Sequence, residues 1–277
     1  MEEIAPDIYV ETGYRGVNVG CILTEVGVIC VDTPLLPGDA RHWRARIAEF
    51  TDHPIRFVIY TNHRQDRVLG TEFLGGRPVA HETAWPAMAS YTEEAFRQAL
   101  VAELGEQDPA IEKVAVRLPE ITFSRHLILP VDGQEIRLLH ATGTALWVYV
   151  PEQRVLFAGD TVVVGAVPGL EQMDLEAWLA ALERLRQGEI AVDLIVPAYG
   201  PVSDLSAVGP MIAFLEQVRD AVGAFCQAGR PRTELIELIP ELLAPLTLSA
   251  QSPEEAEVLL RQGLEYLYEQ KVSTGRK

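Results

Sequence analysis

The chain has 277 residues, of which 48% are hydrophobic and 23% are charged, and its formal net charge is −17 at pH 7. These proportions are typical of a globular protein with one large domain or a domain plus an extension. The negative charge repels phosphate backbones, so we expect no nucleic-acid partner. No apolar run approaches the roughly 20 residues of a membrane-spanning helix, and the acidic start "MEEIAPDIYV" lacks the features of a secretion signal. We therefore expect a cytoplasmic protein with no membrane partner.

The first half of the chain is predicted to begin with strands and then to alternate between helices and strands. β-Branched residues broken by glycine predict strands in "DIYVETGY" and "GCILTEVGVICVDT", with a hairpin near residues 25–27. A helix is predicted in "PLLPGDARHWRARIAEF", because Trp43, Ile47 and Phe50 recur at helical spacing. The nearly continuous apolar run "IRFVIYT" predicts a strand buried on both faces. Another strand, "RPVAH", and a helical stretch over residues 82–104 follow.

The second half repeats the strand-rich pattern and ends in helices. Strands are predicted in "HLILPV", "QEIRLLHA", "LWVYVP" and "RVLFAGD", an amphipathic helix in "DLEAWLAALERLRQ" and a last strand in "DLIVPAYG". From residue 205 onward the pattern is helical, with Ser252 as an N-cap and Pro253 at the first helical position. Two strand-rich halves bracketed by helices predict a layered α/β sandwich with the helices outside.

Polar residues gather where several predicted strands end. They lie at residues 61–67 after "RFVIY", at His140, at Asp160 after "VLFAG" and at Tyr199 after "LIVPA". Ligands in layered α/β folds bind outside the carboxyl ends of the strands. The sequence contains no G-x-S-x-G elbow, phosphate-binding glycine loop or C-x-x-C pair. We therefore expect the strand-end clusters to converge on one cleft.

The order of these clusters resembles the metallo-β-lactamase superfamily. The resemblance covers about residues 4–204 and rests on "CILTEVGVICVDTP", "VYVPEQRVLFAGDTVV" and "LIVPAYGPVSD". It implies an αββα sandwich over residues 1–204 with a metal cleft along one edge. Residues 205–277 are then a helical C-terminal extension, packed on the sandwich or on a second copy of the chain in a homodimer.

The family's metal ligands are only partly present. Its first motif, T-H-x-H-x-D-H, is matched by Thr61 and Asp66, whereas its histidine positions carry Asn62, Arg64 and Arg67. The resemblance places the third-loop histidine at His140, the bridging aspartate at Asp160 and the final histidine at Tyr199. Three of the seven ligand positions therefore survive, and these are Asp66, His140 and Asp160.

Two guanidiniums at ligand positions argue against the family's dizinc chemistry. A guanidinium is permanently charged, does not ligate a metal and repels a dication at short range. We expect Arg64 and Arg67 to lie in the former metal cavity as counter-charges for Asp66 and Asp160. No metal cofactor is expected on this interpretation. The alternative is one zinc or other divalent ion on Asp66, His140 and Asp160, with His63 as a further ligand if the loop shifts its register.

The sequence therefore predicts a metallo-β-lactamase-like fold without a dizinc hydrolase site. The favoured functions are binding of a small anionic molecule or a pseudoenzyme role, and the alternative is a mononuclear hydrolase of an ester, lactone or thioester. The predicted cleft residues are Asn62, His63, Arg64, Asp66, Arg67, His140, Asp160 and Tyr199. A purely structural polar plug is the remaining interpretation of the two arginines.

Overall fold

Two β-sheets form the centre of the molecule in a computed structural model that describes residues 1–131, 133–171 and 173–274. The first sheet has seven strands in sequential order, antiparallel from β1 to β4 and parallel from β4 to β7. Its strands are β1 (Glu2–Ala5), β2 (Ile8–Glu11), β3 (Val19–Thr24), β4 (Gly27–Val31), β5 (Ile55–Ile59), β6 (Arg77–His81) and β7 (Ile121–Phe123). The predicted hairpin at residues 25–27 joins β3 to β4.

The second sheet has five strands in the order β12-β11-β10-β9-β8. They are β8 (His126–Val131), β9 (Gln134–Thr142), β10 (Ala145–Val150), β11 (Val155–Gly159) and β12 (Leu194–Pro197). Only β11 and β12 are parallel, and the other neighbours are antiparallel. The inner faces of the two sheets share one apolar cluster, in which Ile29 and Ile59 of the first sheet join Leu146 and Phe157 of the second.

Helices cover the outer faces of both sheets. They are α1 (Pro37–Ala48), α2 (Gln65–Val68), α3 (Thr71–Leu74), α4 (Ala84–Ala87), α5 (Glu94–Leu104), α6 (Leu175–Arg186), α7 (Val208–Gln227), α8 (Ile239–Leu243) and α9 (Pro253–Thr274). Trp43 of α1 packs in the cluster that covers the first sheet. On the second sheet, Trp147 shares a cluster with Trp178 of α6, Leu215 of α7 and Leu264 of α9. The resulting order of layers is the αββα sandwich predicted from the sequence.

The helical stretch predicted over residues 82–104 is interrupted. The structure has the short helix α4, a 3₁₀ turn at Ala89–Thr92 and then α5. Glu93 separates the last two with an extended backbone, at φ −82° and ψ 148°. Tertiary packing therefore bends a segment whose local pattern is helical throughout.

The C-terminal helices belong to the same apolar core as α6. Buried residues of α7 (Val208, Met211, Phe214, Leu215, Val218, Val222) and of α9 (Ala256, Leu260, Leu264, Leu267) lie in the cluster with Trp147 and Trp178. The sequence-based boundary at residue 204 and the homodimer both stay predictions. Within the described ranges, every helix is too short or too polar to cross a membrane.

Candidate functional site

Strand ends of both sheets meet at one edge of the sandwich. β4 and β5 are parallel neighbours, so Asp32 and Thr61 leave the first sheet side by side, and the Asp32 N–H donates to Ile59 O at 2.8 Å. The second sheet approaches through a bond from Leu146 N to Thr61 O of 2.8 Å. Gly159 has a φ of +52°, and a Cβ there would lie 2.7 Å from Thr61 Oγ1. The glycine before Asp160 therefore allows β11 to end against Thr61.

Arg67 lies at the centre of this edge. Its side chain is fully buried, and its Nη2 donates a hydrogen bond to Asp160 Oδ1. Its Nη1 lies 3.1 Å from Asp66 Oδ2, and its Nε lies 3.7 Å from Asp32 Oδ2. We call Arg67 and these three aspartates the Arg67 cluster. Burial alone lowers the pKa of Arg67, but Asp160 and Asp66 raise it well above its ordinary value, so the guanidinium stays charged.

Asp32 is a member of the cluster that the sequence analysis missed. Thr61 fixes its carboxylate with two donors, the backbone N at 2.7 Å and Oγ1 at 2.6 Å. The residue has a φ of +56°, which is unusual for a side chain other than glycine. Burial raises the pKa of Asp32 to about 7, against the opposing effect of Arg67. Its place at the end of a strand parallel to β5 is the signal that could have identified it.

Asn62 and Tyr199 each donate a hydrogen bond to one of the other two carboxylates. Asn62 Nδ2 donates to Asp160 Oδ2, and Asn62 Oδ1 accepts from the Arg64 N–H at 2.8 Å. The Tyr199 hydroxyl donates to Asp66 Oδ2 at 2.7 Å. Burial alone raises the pKa of Asp66, but Arg67, Arg64 and Tyr199 together lower it below its ordinary value. Two residues that replace family histidines thus hold carboxylates by hydrogen bonds.

Arg64 meets the sequence-based expectation only in part. Its Nε lies 3.9 Å from Asp66 Oδ1, and 37% of its side chain is exposed. It therefore borders the cluster at ionic distance and does not fill the cavity with Arg67. The sequence predicted two guanidiniums and two carboxylates here, and Asp32 adds a third carboxylate. When all of these groups are ionised, two positive charges face three negative charges.

The two predicted histidines make other contacts. His63 Nδ1 lies 2.8 Å from Thr144 Oγ1. His140 Nε2 donates to Gly143 O at 3.1 Å, and its ring stacks on His81 with centroids 3.8 Å apart and planes at 10°. His140 therefore stacks on the buried ring of His81. The number of residues between the two histidines does not indicate this contact.

The side chains present do not fit the metal that the fold family implies. Across residues 1–131, 133–171 and 173–274, no group of three or more His, Cys, Asp or Glu side chains is placed to hold a metal ion. Asp66, His140 and Asp160 do not form such a group, and a guanidinium lies against both aspartates. A zinc site needs about four N, S or O ligands, of which about three come from the protein in catalytic sites.

A cleft of about 940 Å³ opens beside the Arg67 cluster, and we call it the Arg64 cleft. Arg64 and Tyr199 both contact Asp66, and they line the cleft together with Val258 and Leu259 of α9. Further lining residues are Thr12, Tyr14, Arg15, Gly16, Asn18, Ala166, Val167, Gly200, Pro201, Ser249, Ala250, Gln251, Glu254, Glu255 and Gln262. No local sequence pattern indicates that α9 lines this cleft, because the position of a distant helix depends on tertiary packing.

Two curated proteins resemble the chain in sequence. It is 28% identical over 186 residues to the alpha subunit of 2,4-dinitroanisole O-demethylase from Nocardioides sp. (strain JS1661), a match to 63% of the chain and 50% of that protein. It is 25% identical over 233 residues to a linear primary-alkylsulfatase from Pseudomonas sp. (strain ATCC 19151), a match to 71% of the chain and 43% of that protein. The matches thus span half or less of these relatives. No protein-family model matches the chain.

Solved structures share the fold at low sequence identity. The metallo-beta-lactamase family protein TTHA1429 from Thermus thermophilus has a TM-score of 0.68 and 20% identity, covering 97% of this chain and 95% of that one. The sec-alkylsulfatase Pisa1 from Pseudomonas sp. has a TM-score of 0.73 and 15% identity, covering 97% of this chain and 49% of that one. Together with the two-sheet architecture, these matches show that the chain has the metallo-β-lactamase fold.

Proposed function

We propose that this protein binds a small organic anion in the Arg64 cleft without the help of a metal. The observation that carries the proposal is the side chain of Arg64, which lines the cleft and is 37% exposed. Its contact with Asp66 is long, and in the described part of the chain no hydrogen bond from this guanidinium is found. A planar fork of N–H groups binds carboxylate, sulfate or phosphate oxygens in pairs.

The cleft also favours a ligand with an apolar body. Val258 is 46% exposed although it lines the cleft with Leu259 and Val167. Glu254 and Glu255 of α9 also line the cleft and would repel an anionic head, so we place the head at the guanidinium of Arg64. One relative is named a linear primary-alkylsulfatase, and an alkyl sulfate likewise joins an anionic head to an apolar chain.

Calorimetric titration with hexyl sulfate and hexanoate, in the presence of a chelator, tests the proposal. We expect both anions to bind and hexanol, the neutral control, to bind much more weakly. Arg64→Gln should weaken anion binding about tenfold or more, because charge-assisted hydrogen bonds are lost. Arg46→Gln, which removes a surface arginine of α1 paired with Glu49, should bind like the wild type. Equal binding of anions and hexanol, or no binding at all, would reject the proposal.

A hydrolase is the second candidate, and the name of the alkylsulfatase relative favours it. Its distinguishing property is turnover. Release of hexanol from hexyl sulfate after zinc loading, abolished by a chelator, would support hydrolysis over binding alone. Binding that is unchanged by the chelator, with no release of hexanol, would support the first proposal.

A further inference from the structure

Arg64 lies directly against the backbone of the loop that follows β11. A Cβ built on Gly169 would lie 2.5 Å from Arg64 Nη1, which is shorter than any normal contact. Gly169 does not have a positive φ, so its backbone itself would accept an alanine. The absence of a side chain at this position therefore lets the guanidinium occupy its place at the wall of the cleft.

The next residue joins this loop to the C-terminal helix. Leu170 is fully buried, and a Cβ built on Gly263 of α9 would lie 2.7 Å from Leu170 Cβ. Leu170 Cδ1 and Cγ would also lie 3.0 and 3.1 Å from that Cβ. Because the clash involves atoms close to the backbone of the loop, a side chain at Gly263 would push the loop away from α9.

Hydrogen bonds attach the same loop to the segment that enters α9. Gly165 O accepts from Ser249 N at 2.9 Å and from Ala250 N at 2.8 Å. The side chain of Gln251 accepts from Val167 N at 3.0 Å through its Oε1. These bonds tie the loop of residues 163–170 to the segment that leads into α9.

We propose that α9 positions Arg64 for ligand binding through this loop, with Gly169 and Gly263 as the two positioning residues. The contacts run from Gly263 to Leu170 and from Gly169 to the guanidinium. The same helix supplies the apolar wall of the cleft through Val258 and Leu259. The C-terminal extension is then a component of the ligand site that fixes the place of the anionic head. This inference rests on the function proposed above.

Gly263→Ala and Gly169→Ala test the proposal from opposite ends of the contact. Each should weaken hexyl sulfate binding about tenfold, because the charge-assisted hydrogen bonds of a displaced guanidinium are lost. Gly223→Ala is the matched control, since it also adds a methyl group within a helix but meets no atom within 4 Å. It should bind hexyl sulfate like the wild type.

A double-mutant cycle separates positioning from a general effect on folding. If Gly169 acts through Arg64, Gly169→Ala should cause no further loss of affinity in the Arg64→Gln background. A full additional loss there would overturn the proposal, as would wild-type affinity in both single variants. Gly169 is only half-buried, so its variant remains informative even if Gly263→Ala does not fold.

The proposed function can fail while the positioning role of Gly169 and Gly263 still holds, and a structural experiment separates the two. If wild-type protein binds neither hexyl sulfate nor hexanoate, crystal structures of Gly169→Ala and Gly263→Ala still decide the positioning claim. A shift of the Arg64 guanidinium in both variants, absent in Gly223→Ala, would support it. An unmoved guanidinium would overturn it.

Discussion

At the residue scale, the buried guanidinium of Arg67 contacts three carboxylates. Arg67 is fully buried against Asp160, Asp66 and Asp32. Transfer of such charges out of water is unfavourable by several kcal/mol per ion unless each finds a partner. Arg67 Nε and Nη1 find no hydrogen-bond partner among the described residues, so their contacts with Asp32 and Asp66 are ionic. The cluster therefore combines the ionic contacts of Arg67 with hydrogen bonds that Thr61, Asn62 and Tyr199 donate to the same carboxylates.

Removal of Arg67 should destabilise the fold strongly. Arg67→Met keeps much of the side-chain volume but leaves buried carboxylates without a counter-charge, which costs roughly 3–5 kcal/mol of unfolding free energy. Arg46→Met removes an exposed pair with Glu49 and should cost less than about 1 kcal/mol. Urea denaturation of both variants measures the difference. Similar losses in the two variants would contradict the counter-charge role.

Asp32 should make the stability depend on pH in the opposite direction from its neighbour Asp66. Its folded-state pKa of about 7 lies above the ordinary value of 3.8, so the unfolded chain releases this proton first as pH rises. The contribution of Asp32 is therefore full below about pH 4 and falls as pH rises toward 7, with a slope of at most about 1.4 kcal/mol per pH unit.

Asp32→Asn isolates this contribution, because an amide is neutral at every pH. The unfolding free energy of the wild type minus that of the variant should decrease as pH rises from 4 to 7. Urea denaturation at several pH values measures that difference. A difference that stays constant or increases would show that Asp32 is ionised throughout, held by Thr61 and Arg67.

At the element scale, the C-terminal helices are as much a part of the core as the strands. Apolar residues at helical spacing predicted α7, and Ser252 with Pro253 predicted the start of α9. The structure shows the N-cap bond, with the Glu255 N–H donating to Ser252 Oγ at 3.2 Å. Local capping chemistry is readable from sequence, whereas the surface that covers an apolar helix face depends on distant residues. The contact between Leu170 and Gly263 is of that second kind.

Two positions on α9 should differ sharply in their effect on stability. Leu264 is fully buried in the cluster with Trp178, so Leu264→Ala should cost about 2–5 kcal/mol of unfolding free energy. Val258 is 46% exposed, and Val258→Ala should change that free energy by about 0.5 kcal/mol or less. Thermal or urea unfolding compares the two. Equal small effects would mean that α9 packs loosely on the rest of the molecule.

For the whole molecule, the pattern of strands and helices predicted the layers, and the resemblance predicted that Arg67 would lie with Asp66 and Asp160. These residues follow β5 of the first sheet and β11 of the second, and the two sheets meet at one edge. The sequence did not reveal that Asp32 joins them or that His140 turns toward His81. Both outcomes depend on backbone and ring orientation, which residue spacing does not encode. Arg64 was predicted as a counter-charge in the cavity, and it pairs with Asp66 at 3.9 Å but also lines the cleft.

Two substitutions should return a zinc site to this framework. Arg67 and Tyr199 both contact Asp66, and Arg67 also contacts Asp160. Arg67→His with Tyr199→His would place two imidazoles beside two carboxylates, a donor set suited to zinc. Zinc should then raise the melting temperature of the double variant. Arg67→Gln with Tyr199→Phe removes the same cation without adding ligands and should not respond to zinc. A response in neither double variant would mean that the edge no longer has metal-site geometry.

The metal content of the wild-type protein tests the central claim most directly. Arg67 is proposed to serve as the counter-charge that a metal would otherwise supply to Asp66 and Asp160. Protein purified without chelator, incubated with excess zinc and then desalted should retain far less than about one zinc ion per chain by elemental analysis. Retention of about one or two ions per chain, with a melting temperature that falls on chelation, would contradict the account.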